Sequence, residues 1–283
     1  MNPAIHYHPL VSRPFRRSGA YRELPPSPAL APYIRCFWGG VNPQQAEDDR
    51  GGNLVIPDTC VDLLYHINET DGTVQGGFAG INDHSTHAHF VGNGRDVYTT
   101  FAIRFYAWSA CRFAEDTLSG TLNGYLDAGE RFPAIDRQLR QALPMLSTLE
   151  ERSAFAERLL QTRLAESPAQ PLVEEAVQRM LASRGTMDIA RLAREVFIST
   201  RQLERAFHAT VGITPKRLSG LIRYQLVWQD ALRPVPPDLP ALVVRYGFTD
   251  EAHLMHEFRR YHQLDLRTAR RQALEDVGNL QDI

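Results

Sequence analysis

The strongest constraint on this chain is that one stretch of it occurs twice. Asp188-Ile189-Ala190-Arg191-Leu192-Ala193 is answered 50 residues later by Asp238-Leu239-Pro240-Ala241-Leu242-Val243, and Ile198 is answered by Phe248 at the same offset. Beyond that point the offset becomes 51, so that Leu254 answers Leu203 and Phe258 answers Phe207. In the first copy Ile189, Leu192, Ala193 and Val196 fall at i, i+3, i+4 and i+7, the apolar stripe of a short helix. Phe197-Ile198 breaks that period, and Ser199 with Gln202 three residues on is a capping box, which supplies acceptors for orphan amides and opens a second helix. Its buried face is Leu203, Ala206 and Phe207. Two short helices joined by a three- to four-residue turn form a helix-turn-helix. The second copy follows the same plan with a turn one residue longer, Tyr246-Gly247-Phe248, whose glycine suits the left-handed residue that ends a helix. A supersecondary unit repeated in this way predicts an all-α C-terminal region. Between the copies Pro215 opens a third run, Leu218, Leu221, Ile222 and Leu226, which stops before Pro234 and predicts a spacer helix of roughly four to five turns.

The outward face of the second helix in the first copy carries Thr200, Arg201, Glu204, Arg205 and His208. A DNA major groove admits an α-helix with its N-terminal side chains at the base edges, and Arg can make two parallel hydrogen bonds to a guanine edge or pair with a phosphate. Arg201 is the leading candidate base reader and Arg205 the second, with Ser199, Thr200, Gln202, Glu204 and His208 around them. Lys216 and Arg217 are better placed for phosphates, as are Arg259 and Arg260 in the second copy, where Thr249, Glu251, His253 and His256 complete the candidate DNA-facing set. The rigid spacer would let the two units reach successive major-groove faces, about 34 Å apart.

These motifs resemble the AraC/XylS family of bacterial transcription regulators. The resemblance runs from about Leu172 to Arg271. It is carried by Asp188-Ile189-Ala190 with Leu192-Ala193, by Ser199 with Arg201-Gln202-Leu203, Arg205 and Phe207, by Val211-Gly212-Ile213-Thr214-Pro215, and by Tyr246-Gly247-Phe248 with His253-Leu254 and Phe258-Arg259-Arg260. It implies two base-reading helices, Ser199 to Ala209 and about Glu251 to Tyr261, on one duplex. Three departures stand out. Phe197 occupies the place of the family's usual turn glycine, which favours positive φ. Gln263, Leu266 and Ala269 replace the usual Gly, Pro and Tyr. The tip of the second reading helix, Thr249-Asp250-Glu251, is acidic, which predicts weaker DNA contact there.

The 283 residues suffice for two domains. No apolar run is long enough for a membrane span, and the N-terminus lacks the apolar stretch of a signal peptide, so a cytoplasmic protein is expected. Cys36, Cys60 and Cys111 show no paired spacing, consistent with a reducing compartment. The formal net charge of −2 does not announce a nucleic-acid binder. Locally the picture changes, because between Val196 and Arg223 five cations (Arg201, Arg205, Lys216, Arg217, Arg223) face one acid, Glu204.

Toward the N-terminus, residues 1–30 are rich in Pro and Arg and read as an extended lead-in, and Leu30 to Val41 is an apolar, aromatic run that enters a core. Glu47-Asp48-Asp49 reads as a solvated loop. Val61, Leu63, Tyr65 and Ile67 alternate with Asp62, Leu64 and His66; Val97, Thr99, Phe101, Ile103 and Phe105 form a second alternating strand after a Gly92-Asn93-Gly94 turn, and Asp71-Gly72 marks a hairpin. Ile56 to Ile67 and Phe101 to Phe113 resemble an uncharacterised cupin-like sensor domain found ahead of AraC-type DNA-binding halves, which implies a small β-barrel or sandwich whose mouth admits a ligand. Helices are predicted over about Ala134 to Met145 and Glu150 to Ala165, the second packing on the barrel or serving a dimer. Ser167-Pro168-Ala169-Gln170-Pro171 reads as a linker.

Asp58, Asp62, His66, Arg104 and Trp108 form a candidate ligand-binding set. His84, His87 and His89 offer part of a cupin metal pattern without a glutamate at suitable spacing, and they read as a surface cluster. The three cysteines read as small buried hydrophobes. No nucleophile elbow, P-loop or dinucleotide fingerprint is present. The expected architecture is α+β in two domains: a mainly-β cupin-like N-terminal domain with flanking helices at 1–146, a connecting helix and linker at 147–171, an all-α double helix-turn-helix domain at 172–275, and a tail at 276–283. The expected protein is a regulator, not an enzyme, with promoter DNA and a small-molecule effector as partners, RNA polymerase and a second copy as further candidates, and no cofactor. Two other readings stay open at this point, a cupin-type metal-dependent enzyme or sensor with an accessory helical domain, and a protein-binding adaptor.

Overall fold

The structure is a computed structural model, and it describes residues 7–10, 21–41, 53–88 and 95–275. Expectations for Glu47 to Asp49, His89, Gly92 to Gly94 and the tail at 276–283 lie outside those residues.

The N-terminal half is built on an antiparallel sheet of β1 (Arg22–Leu24), β2 (Ile34–Val41), β7 (Tyr98–Tyr106), β4 (Cys60–Asn68), β5 (Val74–Ala79) and β8 (Tyr125–Asp127), in that spatial order. A separate two-stranded ribbon pairs β3 (Asn53–Val55) with β6 (Thr86–Ala88). The alternation in β4 and β7 puts Val61, Leu63, Tyr65, Ile67, Phe101, Ile103 and Phe105 into the main core. Phe113 and Phe132 close that core from outside the sheet, at ring-centroid distances of 5.1 Å and 6.2 Å from Phe105. The β4–β5 hairpin turns at Gly72, φ 75°. Two features differ from expectation. Residues 22–24 of the lead-in form an edge strand on β2. Thr86 to Ala88, within the His-rich segment that the sequence reads as a surface cluster, is a strand.

Helices α1 (Pro133–Ala142) and α2 (Leu149–Glu166) follow the sheet. Thr148 and Glu151 form a capping box at the start of α2. This helix packs on the sheet: the buried Arg152 guanidinium donates to Thr99 Oγ1 at 2.8 Å and to Glu69 Oε1 at 2.7 Å, and Arg22 pairs with Glu150.

The C-terminal half comprises α3 (Pro171–Ala182), α4 (Ile189–Glu195), α5 (Thr200–Thr210), α6 (Pro215–Ala231), α7 (Leu239–Tyr246), α8 (Glu251–His262) and α9 (Leu266–Glu275). The sequence repeat is a repeat of local geometry. Asp188 caps α4 by accepting from the Arg191 N–H at 3.0 Å, and Asp238 caps α7 by accepting from the Ala241 N–H at 2.9 Å. Each first helix ends in a left-handed residue at the same place in the repeat, Phe197 with φ 59° and Gly247 with φ 62°. Leu203 and Leu254 are wholly buried, as are Phe207 and nearly so Phe258. Gln263, also left-handed at φ 62°, ends α8.

A side chain at positive φ costs roughly 1–2 kcal/mol, because Cβ crowds the following carbonyl. Phe197 recovers none of that by packing, since it is 92% exposed. Phe197→Gly is therefore expected to stabilise the protein by about 1 kcal/mol. A thermal melt shifted downward in this variant would contradict the account.

His262 gives the C-terminal half a pH dependence. Its ring is buried against Trp228 and Phe258 and lies 2.7 Å from the Tyr224 hydroxyl. Burial pushes its pKa down to about 4. The unfolded imidazole takes a proton near 6.5 while the folded one resists it, so stability is lost as pH falls from about 6.5 toward 4. His262→Gln keeps an acceptor for Tyr224 and cannot protonate, so it should flatten this part of the profile of Tm against pH.

Candidate nucleic-acid interface

Helix α5 starts on a closed capping box. Ser199 Oγ accepts from the Gln202 N–H at 3.2 Å, while Gln202 Oε1 accepts from the Ser199 N–H at 2.9 Å and from its hydroxyl at 2.8 Å. The first turn is thus rigid, and Gln202 keeps only its amide hydrogens for a partner. Leu203 and Phe207 anchor the helix to the core. Arg201, Glu204, Arg205 and His208 are exposed on the other side, with Thr200 half-buried. Arg201 and Arg205, one helical turn apart, have no ion-pair or hydrogen-bond partner among the described residues. Two guanidiniums held on a capped, anchored helix with no internal partner are free to bind base edges or phosphates.

The other candidates divide. Lys216 is exposed in the first turn of α6, behind the Thr214 cap. Arg217 next to it is engaged, with Nε 3.2 Å from Asp83 Oδ2 in the N-terminal half. In the second unit Asp250 caps α8 by accepting from the His253 N–H at 2.7 Å, and the His253 ring stays beside Thr249. Thr249, Glu251, His256, Arg259 and Arg260 are exposed. Arg260 and His256 both lie within 4 Å of Glu257. Asp250 and Glu251 stabilise the positive N-terminal end of α8, and the same charges oppose a phosphate. The first unit therefore has the stronger electrostatic match to DNA.

The candidate ligand-binding set is split by the sheet. Asp62 and Arg104 are cross-strand partners on β4 and β7, and the carboxylate takes Nε at 2.9 Å and Nη2 at 2.7 Å in a bidentate pair. Trp38 Nε1 donates to the same carboxylate at 2.9 Å, and its ring lies 5.9 Å from the guanidinium carbon. Asp58 Oδ2 is 3.9 Å from Arg104 Nη1, too far for a hydrogen bond, and that buried nitrogen has no hydrogen-bond partner among the described residues. Burial opposes the Arg104 charge, but Asp62 and Asp58 hold it ionised. Burial also pushes Asp58 up to about 6, against the pull of Arg104. His66 and Trp108 are elsewhere. His66 pairs with Thr100, four positions along the strands, with Nδ1 at 3.0 Å from its hydroxyl. Trp108 stacks on Tyr106 in the main core. Trp38 was not among the sequence candidates, since only strand register places it over Arg104.

The thiols of Cys36 and Cys60 are buried and that of Cys111 partly so, and burial pushes each away from the thiolate, Cys111 to about 12. His84 Nδ1 lies 3.0 Å from Asp83. Among the described residues no three His, Cys, Asp or Glu side chains are grouped to hold a metal ion. None of the described helices is long and apolar enough to cross a membrane.

Residues 192–272 match the model of a family described as a helix-turn-helix domain, and residues 22–127 match one described as a domain of unknown function. No curated protein matches the chain by sequence. Among solved structures, a 1.65 Å structure of ToxT from Vibrio cholerae aligns over 81% of this chain and 96% of its own, with 9% identity and a TM-score of 0.40. Unsaturated fatty acid bound wild-type ToxT from V. cholerae strain SCE256 aligns over 76% and 87%, with 8% identity and a TM-score of 0.36. The chain thus joins an N-terminal part that matches a domain of unknown function to a C-terminal helix-turn-helix domain.

Proposed function

We propose that this chain is a sequence-specific, DNA-binding transcription regulator in the cytoplasm, that it performs no catalysis, and that a small molecule bound by its N-terminal domain controls its affinity for promoter DNA. The observation that carries the reading is the pair Arg201 and Arg205, without partners among the described residues, on the exposed face of a helix whose start is fixed by a capping box and whose back is anchored by Leu203 and Phe207. Direct readout needs side chains aimed at a groove from a rigid support. The domain division at residues 171 and 172 belongs to the same reading, with α2 and the linker as the connection. So does an effector site at Arg104, where a buried guanidinium nitrogen beside Asp58, Asp62 and Trp38 has no hydrogen-bond partner among the described residues. Contacts with RNA polymerase or with a second copy are further partners of such a protein.

The test is fluorescence-anisotropy binding of the purified chain to DNA from upstream of its own gene, over a salt series, against scrambled DNA. Selective binding that strengthens or weakens on adding a metabolite extract supports the reading. Equal, weak binding to both DNAs with and without extract would count against it.

A further inference from the structure

Two loops of the N-terminal half hold the ends of both reading helices. One loop, residues 80–85, lies between β5 and β6, and the other, residues 118–124, precedes β8. They are tied into one body by four hydrogen bonds: Gly80 N–H to Gly124 O at 3.0 Å, Asn123 N–H to Ile81 O at 2.9 Å, Asp83 N–H to Asn123 Oδ1 at 3.0 Å, and Asn123 Nδ2 to Asp83 Oδ1 at 2.9 Å.

This body touches the DNA-binding half at three places. The Leu118 N–H donates to Ala209 O at 2.8 Å, satisfying a carbonyl in the last turn of α5. The Ser85 N–H donates to Tyr261 O at 2.9 Å, with the Ser85 hydroxyl at 3.3 Å from the same oxygen, in the last turn of α8. Asp83 pairs with Arg217 at the start of α6, the helix joining the two units. The fit is close at Gly212, where φ is 83° and an added Cβ would sit 2.7 Å from Leu118 O.

We propose that this loop pair sets the spacing specificity of the protein, by fixing where the reading end of α8 falls along the duplex relative to that of α5. The inference rests on the DNA-binding reading above and adds to it a determinant outside the helix-turn-helix units. A 12-residue helix is about 18 Å long, so a tilt of roughly 10° about its held C-terminal end moves its reading end by about 3 Å. One base pair advances by about 3.4 Å. A tilt of that size changes the register by about one base pair. Ser85, Asp83 and Asn123 are positioning residues, since none of them need touch DNA.

The experiment is selection of binding sites from random double-stranded DNA by the full chain, by a D83A/N123G variant that removes two of the four bonds between the loops and the pair with Arg217, and by Ser85→Pro, which removes both donors to Tyr261. Asn123 already has φ 55°, so glycine fits there without strain. The unaltered protein should enrich two motifs at one spacing. Both variants should enrich the same two motifs with the spacing spread over neighbouring base pairs, a change that a general loss of stability does not produce. One sharp spacing in a variant that circular dichroism shows to be folded would overturn the proposal, as would a single motif selected by the unaltered protein. Failure of the unaltered protein to enrich any sequence would instead overturn the regulator reading itself, and the proposal with it.

Discussion

Arg201→Ala is expected to weaken binding to the cognate site by about 1–3 kcal/mol, and to relax base preference at one position of that site while leaving affinity for random DNA nearly unchanged. The guanidinium lies in the first turn of α5, where the capping box of Ser199 and Gln202 restrains the backbone, so little backbone entropy is lost when it engages a base edge. It has no internal partner to leave stranded, so its removal should not cost folding stability. Lys216→Ala is the contrast. Its ammonium is exposed at the start of α6 and suited to a phosphate, so its loss should weaken all sequences alike and reduce the slope of log affinity against log salt by about one. Titrations of both variants on cognate and scrambled DNA at several salt concentrations separate the two roles. Equal losses on both DNAs for Arg201→Ala would refute its assignment as a base reader.

The second large effect is on folding. Gln225 is wholly buried on α6, and its amide satisfies three backbone groups of the N-terminal half: it accepts from the Leu10 N–H at 2.7 Å and donates to Leu10 O at 3.1 Å and to Pro57 O at 2.7 Å. Gln225→Leu keeps the volume and strands all three. Each buried, unsatisfied group costs about 1–3 kcal/mol, so a loss of at least about 3 kcal/mol is expected. For a chain of this size that corresponds to a fall in Tm of roughly 6–12 °C. Gln229→Leu is the control. It removes one hydrogen bond, to His8 O at 2.8 Å, at a half-buried position, and should cost far less. If Gln225→Leu melted with the unaltered protein, the contact between α6 and residues 8–10 and 57 would not be holding the halves together.

The same residues show why α6 was legible and its partner was not. Leu218, Leu221, Ile222 and Leu226 announce a helix by spacing alone, and Thr214, Pro215 and Pro234 bound it, because capping and periodicity act within four residues along the chain. Gln225 carries no such signal. A glutamine on a helix is ordinarily exposed, and its burial depends on a segment 215 residues away in sequence. Arg217 makes the same point. The sequence placed it with Lys216 as a phosphate contact, and only packing brings Asp83 to it. In the N-terminal half the alternation of β4 and β7 was legible, but not the register that joins Asp62 to Arg104 and sets His66 apart. A one-residue slip in pairing would have put different side chains opposite.

By itself the sequence determined the helices, their caps, the left-handed turn at Gly247, and which face of α5 carries arginine. Each of these follows from steric limits and hydrogen bonds among near neighbours along the chain. The tertiary structure alone decided which cations stay free for a ligand, which carboxylates meet Arg104, and that one pair of loops holds both reading helices. Those outcomes depend on contacts between residues far apart in the chain. No local propensity encodes such contacts, and they come into being only when the two halves pack.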